Sequence, residues 1–204
     1  MRHIPTGELP GLEKDFEAYL AQAQAEHAAY DVKRWLFVPD VYTEFRYILG
    51  TRGNRPLICI GINPSTAEPD HLDRTLQSVE RIALGNGFDA FTMFNVYAQR
   101  ATSPDDMPME RNLRLHEENM KAFRYVLSQA DHPVVWAAWG NIIEKRAYLK
   151  DCVEDMIREG QAFHATWVTC GARSKKGHPH HPLYLRSDLP LDDFDIEKYV
   201  KNCL

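Results

Sequence analysis

Long apolar runs are missing from this sequence. Its unbroken hydrophobic stretches reach about five to eight residues, well short of the ~20 that span a bilayer, and its first residues hold no signal-peptide hydrophobic region. A cytoplasmic protein with no membrane partner is therefore expected. Cysteine is scarce: Cys59, Cys152, Cys170 and Cys203 fall at no metal-ligand spacing, and Cys59 and Cys170 lie in predicted strands, where a small buried hydrophobe serves. A reduced compartment suits them. An excess of basic residues is also absent. The formal net charge of −5 argues against strong nonspecific attraction to nucleic acid, which depends on counterion release around a basic surface. There is no Walker loop, G-x-S-x-G elbow, G-x-G-x-x-G fingerprint or H-E-x-x-H pair, so the common nucleotide-binding, serine-hydrolase and zinc-protease signatures do not apply. Internal repeats, long linkers and low-complexity segments are absent too.

What is present is the composition of an ordinary globular domain, 44% hydrophobic and 26% charged over 204 residues. One α/β domain is expected over 1–204, with a helix-and-strand extension at 1–55, a core at 56–190 and a last helix at 191–204. Apolar residues at helical spacing predict a helix over 11–30. Alternation around Phe45, Tyr47 and Leu49, a Gly-rich turn and then Leu57 to Ile60 read as two strands joined by a turn. From there strands and helices alternate: strand 57–61, helix 73–86, strand 90–96, helix 109–130, strand 133–138, helix 141–159, strand 164–170 and helix 192–203. Near-continuous apolar strands between amphipathic helices predict a three-layer α/β/α sandwich with a mainly parallel central sheet.

Four segments could carry chemistry, each a polar loop or strand end. Gly61-Ile62-Asn63-Pro64-Ser65 follows a strand; Gly61 permits a sharp turn, Pro64 stiffens it, and the Asn63 amide can both donate and accept, unless it forms only an Asx turn. Phe94-Asn95-Val96-Tyr97 ends the next strand. A buried amide such as Asn95 must be hydrogen-bonded or lose roughly 1–3 kcal/mol, so it ties down a loop or meets a ligand. Arg100, just beyond, is a solvated or helix-contacting side chain, or a phosphate contact. Trp139-Gly140-Asn141 turns a buried strand into a helix, with Asn141 as a candidate cap. Last comes Lys175-Lys176-Gly177-His178-Pro179-His180-His181-Pro182-Leu183-Tyr184-Leu185-Arg186, a proline-stiffened loop presenting imidazoles. A metal held by Asp70, His71 and Asp73 with one of these histidines finds no compact ligand pattern, so neither metal nor cofactor is expected.

The order of these segments resembles the uracil-DNA glycosylase superfamily. Gly61-Ile62-Asn63-Pro64 is similar to the G-I-N-P loop of its mismatch-specific branch, Asn95 to Thr102 to that branch's following segment, and Trp139-Gly140 and His178-Pro179…Pro182-Leu183 to its uracil-specific relatives. The resemblance covers residues 55–190. The chain also resembles a bacterial domain of unknown function family, number 1643, in its N-P-S-T-A, N-x-[FY]-A-x-R-A-T, A-W-G and G-H-P-x-H-P-L-Y-L segments. It departs from the glycosylases in having Ser65 where they have Gly or Tyr and in lacking their leucine wedge. His180-His181 adds a residue to the last loop, so His178 and His181 are both candidates for the family histidine.

The glycosylase resemblance implies a nucleobase site. Asn63 would position water, His178 or His181 would stabilise charge on the departing base, and Asn95 would read the base with Phe94 or Tyr97 stacking on it. Gly61, Pro64 and Ser65 would line the site, and Arg100, Arg173, Lys175, Lys176 and Arg186 would face phosphate on a nucleic acid or nucleotide partner. The alternatives are a noncatalytic module binding a nucleotide or nucleic acid in the same crevice, and a hydrolase of small nucleosides. No protein partner is indicated.

Overall fold

The computed structural model describes residues 2–25, 29–183, 185–186 and 188–204. In chain order its elements are α1 (Phe16–Gln24), β1 (Trp35–Val38), β2 (Ile48–Thr51), β3 (Pro56–Gly61), α2 (Arg74–Gly85), β4 (Ala90–Asn95), α3 (Leu113–Leu127), β5 (Val134–Ala137), α4 (Tyr148–Ala162), β6 (Thr166–Cys170), β7 (Leu191–Asp193) and α5 (Ile196–Cys203). All seven strands join one sheet in the order β1-β2-β4-β3-β5-β6-β7.

Alternation along the strands divides the core between the two sheet faces. Ile58 and Ile60 of β3 join Phe94, Val135, Phe123, Leu149 and Tyr199 under α1, α3, α4 and α5, whereas Leu57 and Cys59 join Phe91, Trp136 and Val168 under α2. Leu76, Val79, Ile82 and Ala83 are the buried stripe of α2, and each large side chain there contributes roughly 1.5–3 kcal/mol of transfer free energy. Asp15, Asp73 and Asn112 each accept a first-turn backbone N–H, capping α1, α2 and α3; α2 starts within one residue of its expected position, whereas α1 and α3 start four to five residues later than expected. Among the described residues no helix is long and apolar enough to cross a membrane.

The sheet is mixed. β3 pairs in parallel with β4 and β5, and β5 with β6, but β1–β2, β2–β4 and β6–β7 are antiparallel, so the expectation of a mainly parallel sheet is corrected. The two strands joined by the Gly-rich turn, β2 and β3, are not neighbours in the sheet, because β4 lies between them. The 1–55 segment thus supplies two sheet strands, and β7 precedes a shorter last helix. The helix expected over 141–159 divides into a 3-10 turn, Gly140–Glu144, and α4. Of the helix expected over 11–30, α1 keeps Phe16–Gln24, while 26–28 lie outside the described residues.

The contact between β2 and β4 requires Gly50, because a Cβ there would lie 2.2 Å from the Phe91 carbonyl oxygen and 2.8 Å from the Thr92 Cα. Both obstacles are backbone and cannot rotate away. Gly50→Ala is expected to destabilise the protein by about 3 kcal/mol, read as a lowered urea midpoint; an unchanged midpoint would mean that β2 does not pack as described.

Candidate functional site

The chain leaves β3 toward α2 on one face and leaves β5 toward α4 on the other, so their neighbouring carboxyl ends open a crevice at the point where the winding reverses. A cavity of about 500 Å³ lies there, within the usual range for small-molecule sites. Three segments distant in sequence reach it: the loop after β3, the end of β4 with the chain beyond it, and the loop after β6.

The first two segments are laced together. Val96 and Tyr97 N–H donate to the Gly61 and Ile62 carbonyls at 2.9 Å, and Ala101 N–H donates to the Pro64 carbonyl at 2.9 Å. The Asn63 amide nitrogen donates to the carbonyls of Pro64 (3.0 Å) and Ala101 (2.7 Å). Its oxygen remains the acceptor available to water or ligand. Ser65 and Thr102 share a hydroxyl contact of 3.1 Å on the same wall. A Cβ at Gly61 would come within 2.6 Å of Met93 Cε and 3.1 Å of Asn95 Nδ2, so those side chains would have to shift to admit one.

Asn95 ends β4 and lines the cavity with only 1% of its surface exposed. Its side-chain oxygen accepts from Arg46 Nη2 at 3.3 Å, and its backbone carbonyl from the Asn119 amide at 3.0 Å, while Nδ2 has no partner. The buried amide therefore both ties down a neighbour and keeps a donor in reserve. Strand alternation turns Phe94 to the opposite face, where its ring lies 5.0 Å from that of Phe123. Tyr97 is likewise in the core, with its hydroxyl accepting from Asn112 N–H at 2.9 Å and its ring 5.0 Å from Tyr148. Stacking on a ligand by either ring is thus corrected: neither lines the cavity.

The two candidate histidines have different surroundings. His178 is 1% exposed and outside the cavity; the Trp139 indole donates to the Tyr199 hydroxyl (2.9 Å), that hydroxyl donates to His178 Nδ1 (2.8 Å), and Nε2–H faces Glu144 (3.2 Å). This chain of bonds fastens the loop to α5. His181 lines the cavity instead, beside Gly140, and Ser78 anchors the loop by donating to the Pro182 carbonyl at 2.8 Å. Leu183 N–H donates to His181 Nδ1 at 3.2 Å, which places the proton of the neutral ring on Nε2. Burial, then the neighbouring His180, hold the His181 pKa below its ordinary value, against the opposing pull of Asp73. Tyr184, the last residue of that motif, lies outside the described residues.

The expected phosphate contacts are not gathered at the cavity. Lys176 pairs with Glu144, Arg186 with Asp188, Arg173 lies 5.0 Å over the Phe194 ring, and Lys175 is exposed elsewhere. Arg100 is buried behind the wall, bonded to the Ser65 and Ala67 carbonyls, with Tyr42 stacked 4.2 Å from its guanidinium. The cavity's cations are Arg46 and Arg74, which the sequence reading passed over. A charge amid Phe45, Tyr47 and Ile48 was the available signal for Arg46. Arg46 is 1% exposed, donates to Ala67 (3.2 Å) and Asn95, and burial followed by repulsion from Arg100 pushes its pKa down to about 9. Asp73 lines the cavity as the carboxylate, and among the described residues no group of three His, Cys, Asp or Glu could hold a metal.

Because the folded protein holds His181 neutral, the unfolded chain takes up that proton first as pH falls. Its contribution to stability is full above the unfolded imidazole value of about 6.5 and is lost as pH drops toward the lower folded value. Urea midpoints should fall less between neutral and mildly acidic pH in His181→Gln than in the wild type; equal losses would contradict a half-buried imidazole held neutral.

Comparison with curated proteins and with solved structures finds no match. Residues 46–183, which include β2 to β6 and every residue of the cavity lining, match the model of the protein family of unknown function DUF1643, and the chain belongs to that family.

Proposed function

We propose that the crevice binds a nucleobase and releases it hydrolytically from a small nucleoside or nucleotide. The observation that carries this is the meeting of Asn63, Asn95 and His181, from three distant segments, in one cavity of nucleoside scale. Because Arg46 occupies the Asn95 oxygen, the amide offers Nδ2 alone, which suits an acceptor on the base such as a keto oxygen. His181 Nε2–H would donate to a second base oxygen as negative charge develops there. With the base so held, the N-glycosidic bond breaks with its electron pair passing to the base nitrogen, and a water oriented by the Asn63 oxygen forms the new bond to the sugar C1′. Asp73 is the carboxylate on the cavity wall suited to take that water's proton.

A small substrate is favoured over duplex DNA because Arg173, Lys175, Lys176 and Arg186 do not line the cavity, and Lys176 and Arg186 already pair with carboxylates. Contacts to a phosphodiester backbone would need free cations beside the cavity. The resemblance to the uracil-DNA glycosylases supports base release as the chemistry.

Chromatographic detection of free base tests the proposal. The protein is incubated with nucleosides, nucleoside monophosphates and oligonucleotides carrying uracil or mismatched bases. Base release from nucleosides or monophosphates, lowered about 100-fold or more by Asn63→Ala or His181→Ala, is the expected result. Binding without release would identify a noncatalytic module, and release from oligonucleotides alone would contradict the small-substrate assignment.

A further inference from the structure

We infer that the floor of this crevice is an anion site for the phosphate of a nucleoside monophosphate, with Arg46 as its principal contact. A guanidinium carries five N–H donors, and burying one without an anion or a full set of acceptors is costly. Arg46, 1% exposed and lining the cavity, makes two hydrogen bonds and leaves Nε unpartnered. Behind it Arg100 is fully buried and leaves Nε and Nη2 unpartnered. Both reach the same Ala67 carbonyl oxygen, so two like charges lie close together, each lowering the favourability of the other. Among the described residues no carboxylate comes within 4.0 Å of either one. The nearest acidic influences, Asp73, Glu44 and Glu68, act from farther away, and Glu44 faces His3 at 3.3 Å.

The start of the twelve-residue α2 adds to this positive field. Arg74 and Thr75, in its first turn, line the same cavity, where the positive end of the helix favours an anion. Asp73 lines it too, and its carboxylate disfavours a ligand that is anionic along its whole length. A ligand with one anionic end and sugar hydroxyls to donate to a carboxylate satisfies both. The nucleoside portion of this ligand rests on the base-binding proposal above; the anion site does not.

Isothermal titration of the intact protein at constant ionic strength, with inorganic phosphate, a nucleoside and the corresponding 5′-monophosphate, tests the inference. Phosphate should bind saturably, and the monophosphate should bind at least about tenfold more tightly than the nucleoside. Arg46→Met should abolish that advantage, and Arg74→Ala, at an exposed position that folding does not depend on, should reduce it. No saturable phosphate binding, equal affinities for nucleoside and monophosphate, or an advantage unchanged in Arg74→Ala and in any folded Arg46→Met would overturn it. Phosphate binding with no nucleoside binding would support the anion site and overturn the base-binding proposal.

Discussion

Two buried guanidiniums share one carbonyl oxygen, that of Ala67, and the rest of the crevice depends on that arrangement. Arg46 comes from the chain entering β2, Arg100 from beyond β4, and Ala67 from the loop after β3, so the shared oxygen draws three segments to one point. Arg46 also holds the Asn95 oxygen, which fixes that amide with its nitrogen as the remaining donor. A stability-optimised interior would pair or replace such charges, since well-packed apolar side chains often do as well as buried ions. Among the described residues no carboxylate pairs with either guanidinium, and the anion site proposed above rests on that arrangement.

The last loop divides its work between two histidines. His178, bonded to Tyr199 and Glu144, secures the loop to α5, and this anchorage presents His181 to the cavity as a neutral ring with its proton on Nε2. The Trp139-Gly140 turn serves both, because Trp139 donates to Tyr199 while Gly140, at a φ of +62°, turns the chain beside His181. Sequence spacing gives the two imidazoles equal standing. Only the hydrogen-bond partners separate the structural one from the one at the site.

The alternation of strands and helices from β3 to β6 was legible because each element carries a strong pattern, and α2 and α3 also carry side-chain caps. β1 and β7 were not, because one is uniformly buried and the other has only three residues, too few to show a period. The insertion of β4 between β2 and β3 is a matter of sheet order, which local pattern does not encode. At the site, Asn63 and Asn95 stood out as amides at strand ends. Phe94 lies away from the cavity because neighbouring strand residues face opposite ways, and Tyr97 because it stands beyond the end of β4, with its hydroxyl on Asn112 and its ring against Tyr148. Arg46 was hidden by the aromatic residues around it, whose alternation drew attention to the strand and away from its one charge.

The central claim is that Asn63, Asn95 and His181 meet one ligand. Following the side-chain amide resonances of both asparagines and the His181 ring by nuclear magnetic resonance, while a nucleoside monophosphate is added, tests it most directly. All three should move along a single saturation curve. Unperturbed asparagine amides under conditions where the ligand binds elsewhere would contradict the account.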